Sequence, residues 1–149
     1  MKQKYVIILG LILFFGCQQY AKQETIYYPL TDSIPQLKYF YKKNGKVFYL
    51  AKEFRYYSNG QLKYEGYYNE QEKKSGKWTY YAENGNKIRV ETFKNGKKNG
   101  KMTEWYLNGQ KMFDANYKED LPDGKWIIYN EDGKKQGILN YKNGEIIKK

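Results

Sequence analysis

Beyond residue 36 the chain is a succession of short stretches in which large apolar or β-branched side chains alternate with polar ones. Lys77-Trp78-Thr79-Tyr80-Tyr81 and Lys87-Ile88-Arg89-Val90-Glu91-Thr92-Phe93 are examples. A period of two held over so few residues predicts strands. Asn-Gly occurs at Asn44, Asn59, Asn84, Asn95, Asn99, Asn108 and Asn143, and Asp-Gly at Asp123 and Asp132. Both dipeptides accept the positive φ that type I′ turns require, so consecutive strands are predicted to close into β-hairpins.

The hairpins recur. Gly76, Gly100 and Gly124 stand 24 residues apart, each followed by Lys and a large apolar residue: Lys77-Trp78, Lys101-Met102 and Lys125-Trp126. Tyr81, Trp105 and Tyr129 follow those glycines by five places, and Gly85, Gly109 and Gly133 keep the same spacing. A third series, Phe93, Tyr117 and Tyr141, precedes a loop with Gly96 or Gly144 in two copies and Asp120 in the middle one. A weaker copy runs through Tyr56-Tyr57-Ser58-Asn59-Gly60, Leu62 and Tyr67-Tyr68, and a more degenerate one starts near Tyr39 and Asn44-Gly45.

A lone hairpin is marginal in water, so neighbouring repeats must stack to bury these side chains. The predicted fold is all-β: tandem antiparallel β-hairpins of 24-residue period in an elongated single-layer or solenoid-like sheet. Alternation sets Trp78, Met102 and Trp126 on one face and Tyr81, Trp105 and Tyr129 on the other. Together with Phe93, Tyr117 and Tyr141, these aromatics are the candidate core or contact residues. A core role is the expectation for the three tryptophans.

The N-terminus follows another logic. Lys2 and Lys4 precede eleven uncharged residues, Tyr5 to Phe15, and then Gly16-Cys17. That is the layout of a signal peptide, too short to span a bilayer as a helix. Cys17 is the only cysteine and has no partner within the chain. Leu13-Phe14-Phe15-Gly16-Cys17 resembles a bacterial lipobox, although Phe14 and Phe15 replace its usual Leu and small residue. The expected organisation is a signal peptide over 1–16, a lipidated N-terminus and tether over 17–36 with Pro29 and Pro35, and a repeat domain over 37–149. The expected location is the bacterial cell envelope, with the chain anchored through lipid on Cys17, at the outer membrane in a Gram-negative cell.

Composition fits a thin sheet. Aromatics make up 19% of the residues, 18 of them Tyr, so the core must be built from rings whose hydroxyls reach water or a polar partner at its edge. The formal charge is +11, and 25 of the 27 basic residues are Lys. Such a lysine excess protects strand edges and aids solubility. Recognition of phosphates or base edges by a planar fork draws on Arg, and only Arg55 and Arg89 are present, so no nucleic-acid partner is expected.

Absent chemistry narrows the function further. With no His and one Cys, the usual general base, the Ser-His and Cys-His nucleophiles and the mixed metal sites are all missing. No enzymatic activity, cofactor or metal is expected. The nearest candidate carboxylates, Glu70, Glu72, Glu119, Asp120 and Asp123, fall in turn-like stretches and read as solvated loops. Asn95-Gly96-Lys97-Lys98-Asn99-Gly100 is glycine-rich but no helix is predicted after it to bind an anion, so it reads as a connection containing two turns.

The order aromatic, Asn-Gly, strand, aromatic, glycine-rich turn, Gly-Lys-Trp, seen from Phe54 to Gly144, resembles the MORN-repeat variant. YwqK-type antitoxin-like proteins share that resemblance. It implies a scaffold that binds lipid or protein, and for the antitoxin-like members neutralisation of a partner protein; the Lys-rich edges add engagement of an anionic envelope component, lipid or lipopolysaccharide, as an alternative.

Overall fold

The computed structural model describes residues 20–28 and 34–147; the candidate signal segment and Cys17 lie outside the described residues. Among the described residues twelve strands form one sheet: β1 (Lys22–Tyr27), β2 (Pro35–Asn44), β3 (Val47–Tyr56), β4 (Leu62–Tyr68), β5 (Lys74–Tyr81), β6 (Lys87–Lys94), β7 (Lys97–Trp105), β8 (Lys111–Lys118), β9 (Leu121–Pro122), β10 (Gly124–Tyr129), β11 (Lys135–Lys142) and β12 (Glu145–Ile146). All pairings are antiparallel and follow chain order, β9 and β10 both lying against β8. The packed pairs of strands are all sheet neighbours, so the fold is an open, extended single layer of tandem hairpins. The sheet begins earlier than residue 37: β1, from a stretch read in sequence as tether, pairs with β2 through Glu24↔Tyr39 and Ile26↔Leu37.

Two kinds of turn alternate. Asn95-Gly96 and Asn143-Gly144 have positive φ at both positions, as does Glu119-Asp120, which is the type I′ geometry. At Asn59-Gly60, Asn84-Gly85, Asn108-Gly109 and Asp132-Gly133 only the glycine is left-handed. There the glycine N–H bonds three residues back (Gly60 to Tyr57, 3.0 Å), which is a type I turn with a following glycine bulge.

Asn99-Gly100 and Asp123-Gly124 are not turns. Their glycines, with φ of +115° and +89°, lie in bulges along the strands, as does Gly76 at +68°. Between Glu65↔Thr79 and Tyr67↔Ser75 the later strand carries two more residues than the earlier one, and the same excess recurs between Glu91↔Met102 and Phe93↔Lys98. At two of these bulges a tryptophan reaches back to a backbone carbonyl of the earlier strand, and Asn116 O also accepts the Asp123 N–H at 3.0 Å. The indole N–H of Trp78 donates to Tyr67 O and that of Trp126 to Asn116 O, both at 3.0 Å. The Gly-Lys-Trp signature is therefore a bulge closed by its own tryptophan.

A second ladder ties repeats together at the opposite end of the hairpins. Tyr28, Tyr57 and Tyr106 donate their hydroxyls to the carbonyls of Tyr56, Tyr81 and Tyr129, at 2.7, 2.9 and 3.0 Å. Ala82 holds the matching place in the remaining hairpin and leaves the carbonyl of Trp105 outside the ladder. Ala82→Tyr is expected to stabilise the sheet by about 0.5–1.5 kcal/mol in urea unfolding. A lowered midpoint would show that the ladder is incidental.

Candidate interaction surface

One face is aromatic. Along its middle row stand Glu53, Gly66, Trp78, Glu91, Met102 and Ala115, side by side on β3 to β8. At two places a ring stands beside a small residue: the Trp78 ring lies over Gly66, and the register Ile127↔Asp114 sets Trp126 beside Ala115. Trp78 is 2% exposed, held between Tyr64, Tyr68 and Phe93 at centroid distances of 5.8, 5.2 and 6.2 Å. The Lys74 ammonium roofs this cluster, 4.0 Å from the Trp78 ring and 5.1 Å from that of Phe93. Burial pulls the Lys74 pKa down, with Glu91 and Glu53 acting in opposition.

Buried carboxylates complete the row. Glu53, 7% exposed, accepts the hydroxyls of Tyr64 at 2.7 Å and Tyr68 at 2.6 Å. Glu91, 4% exposed, is 2.8 Å from the Lys98 ammonium, which also lies over Tyr117. Sequence reasoning missed Glu53, Glu91 and Lys74, because an isolated charge among alternating residues carries no mark of burial.

Trp126 takes the place of Trp78 in the last described hairpin, between Tyr117 at 5.3 Å and Tyr141 at 5.0 Å. It remains half-exposed. Pro122 follows Lys98 by 24 residues, as Lys98 follows Lys74, so no lysine among the described residues lies over the Trp126 ring, and of this cluster Lys98 reaches only Tyr117. The cluster closed around Trp78 is open around Trp126.

Tyr81, Trp105 and Tyr129 lie on the opposite face, all half-buried. Tyr81 donates to Glu65 at 3.2 Å and Tyr129 to Asp114 at 3.3 Å, whereas Trp105 belongs to the repeat whose matching position is Val90. The eight candidate aromatics therefore divide by face: Trp78, Phe93, Tyr117, Trp126 and Tyr141 form the aromatic row, in which Met102 stands where a ring would be. Of the three tryptophans, only Trp78 is fully buried. Asp114 also accepts from Thr103 Oγ1 and Lys111 Nζ, both at 2.8 Å. Burial opposes its charge, but these bonds and the Lys101 charge outweigh that and hold the carboxyl below its ordinary value.

The tyrosines give the sheet an alkaline limit. Burial pushes Tyr41 and Tyr80 up to about 12 from 10.0, and burial together with the Glu53 hydrogen bonds raises Tyr64 and Tyr68 as well. A group raised in the folded state adds stability below its unfolded pKa and loses it as pH rises through the folded one. Urea midpoints are expected to fall between pH 10.0 and about 12. A flat profile over that window would mean that these hydroxyls are solvated.

Four segments, residues 50–70, 74–95, 98–119 and 122–143, match the MORN repeat variant. The chain belongs to the MORN repeat variant family. Each MORN segment spans strand, glycine-bulged turn and strand, and the segments begin 24 residues apart, in the register of the bulges. No curated protein sequence matches the chain.

The candidate carboxylates of this MORN array hold turns in place. Glu70 accepts from Asn44 Nδ2, Glu72 from Leu50 N, Asp120 from Lys98 N and Asp123 from Asn143 N, while Glu119 pairs with Lys97. Among the described residues no group of His, Cys, Asp and Glu could hold a metal ion.

Proposed function

We propose that the chain is a binding and protein-interaction module held at the bacterial cell envelope by lipid on Cys17. The observation that carries the binding role is the open cluster of Trp126, Tyr117 and Tyr141, built like the closed one around Trp78 but without its lysine roof. A ring that is only half-buried on a rigid sheet presents apolar area at little entropic cost, as interface hot spots do. The envelope reading is supported by Gly16-Cys17 after eleven uncharged residues. Acyl chains contribute about 0.8 kcal/mol per buried CH₂, enough in combination to hold a protein at a membrane.

The chain immobilised on resin and exposed to solubilised envelope is expected to retain a component that Trp126→Ala loses while still folded, its melting temperature lowered by several degrees. Equal retention by both proteins would count against the aromatic surface. Cys17→Ala is expected to release the chain from the membrane fraction, and an unmodified Cys17 in the mass of the mature protein would exclude the anchor.

The charge of +11 and the resemblance to YwqK-type proteins favour a second reading, an antitoxin- or immunity-like protein covering an acidic partner surface. A toxin-like reading frame beside the gene is the expected finding, and its absence would count against that role.

A further inference from the structure

The face opposite Trp78 carries a row of a different kind. Lys77, Thr92, Lys101, Asn116, Lys125 and Asn140 follow one another on consecutive strands from β5 to β11, each lysine paired with the Thr or Asn of the next strand. Strands are about 4.8 Å apart, so the backbone positions of the lysines recur at roughly 9.6 Å with a Thr or Asn midway. We propose that this row binds a linear anionic polysaccharide, laid across the strands along the array, with one carboxylate on every second sugar.

The side chains of the row suit that ligand. All three lysines are exposed; Lys77 and Lys125 have no ion pair among the described residues, and Lys101 has only a long contact of 3.7 Å with Asp114. On the aromatic face, by contrast, Lys74 and Lys98 are occupied by rings and by Glu91. Thr92 Oγ1 donates to Lys101 O at 3.0 Å and Asn116 Nδ2 to Lys125 O at 3.2 Å. Those bonds fix both side chains and leave an acceptor oxygen on each for sugar hydroxyls, between cations for the carboxylates.

A pyranose unit spans close to one strand spacing, which sets the alternation in register with the sheet. Duplex nucleic acid presents a phosphate every 3.4 Å or so along each strand, which matches less well, and both arginines lie on the other face.

The inference deepens the reading of the array as a binding module. Hyaluronan oligosaccharides, with one carboxylate per disaccharide, are the test ligand, titrated into the full chain at low and raised salt. Affinity is expected to rise with length until the oligosaccharide covers Lys77 to Lys125, about 19 Å, and then to level off. Replacing Lys77, Lys101 and Lys125 with Gln is expected to weaken binding at least tenfold. The same change at exposed Lys46, Lys73 and Lys134, off the row, is expected to alter it less than twofold.

Equal losses from the two triple variants would overturn the proposal in favour of diffuse charge. So would tighter binding of polyuridylate, or of phosphatidylglycerol vesicles, than of hyaluronan. No hyaluronan binding alongside Trp126-dependent retention of an envelope component would remove the polysaccharide site and leave the binding module standing.

Discussion

Trp78→Ala is expected to cost about 3–5 kcal/mol, most of what a small domain has to lose, and to leave the array partly unfolded at room temperature. Three effects add at this residue. The one fully buried tryptophan loses its packing against Tyr64, Tyr68 and Phe93; the Lys74 ammonium loses the ring beneath it; and the carbonyl of Tyr67 loses its indole donor. Trp78→Phe keeps most of the ring but not the N–H, and is expected to cost about 1–3 kcal/mol. Trp126→Ala, at a half-exposed position, is expected to cost about 1–2 kcal/mol. Chemical unfolding of the three variants checks the order. Equal losses for the two Ala variants would show that the repeats are energetically alike, contrary to their packing.

Gly66→Ala is the second large effect. A Cβ there would stand 2.1 Å from Trp78 Cδ2 and 2.2 Å from Cε2, inside a cluster whose central ring cannot swing out. Overpacking of this kind costs about 1–3 kcal/mol, and the added atom meets an aromatic ring rather than the tip of a flexible chain. In a Trp78→Ala background the same substitution is expected to be nearly neutral, since the ring it would strike is gone. The double-mutant cycle therefore carries a coupling close to the whole cost of Gly66→Ala. Additive losses would place the strain elsewhere.

The array was legible in the sequence because its signals are local. Turn dipeptides, alternation and the 24-residue spacing each reside in a few adjacent residues, and they agree on tandem hairpins and on opposite faces for Trp78 and Trp126 against Tyr81, Trp105 and Tyr129. The misreadings also have local causes. Asn99-Gly100 resembles Asn95-Gly96 in composition, yet one is a bulge and the other a turn. The positive φ that glycine allows serves both, and pairing with β6 decides between them. The strand β1 went unseen because its alternation of Thr25 with Glu24 and Ile26 is weak without β2 beside it. The role of Gly66 was beyond reach, since it depends on a ring twelve residues later folding back across the bulge.

Exchange of the three indole N–H groups with solvent, followed by NMR, tests most directly whether the Gly-Lys-Trp signature is a bulge locked by its own tryptophan. Trp78 is buried and bonded to Tyr67 O, Trp126 is bonded to Asn116 O but half-exposed, and Trp105 donates to no group among the described residues. Trp78 is expected to exchange slowest, Trp126 faster and Trp105 fastest. Trp105 protected as well as Trp78 would contradict the assignment of faces and of the lock.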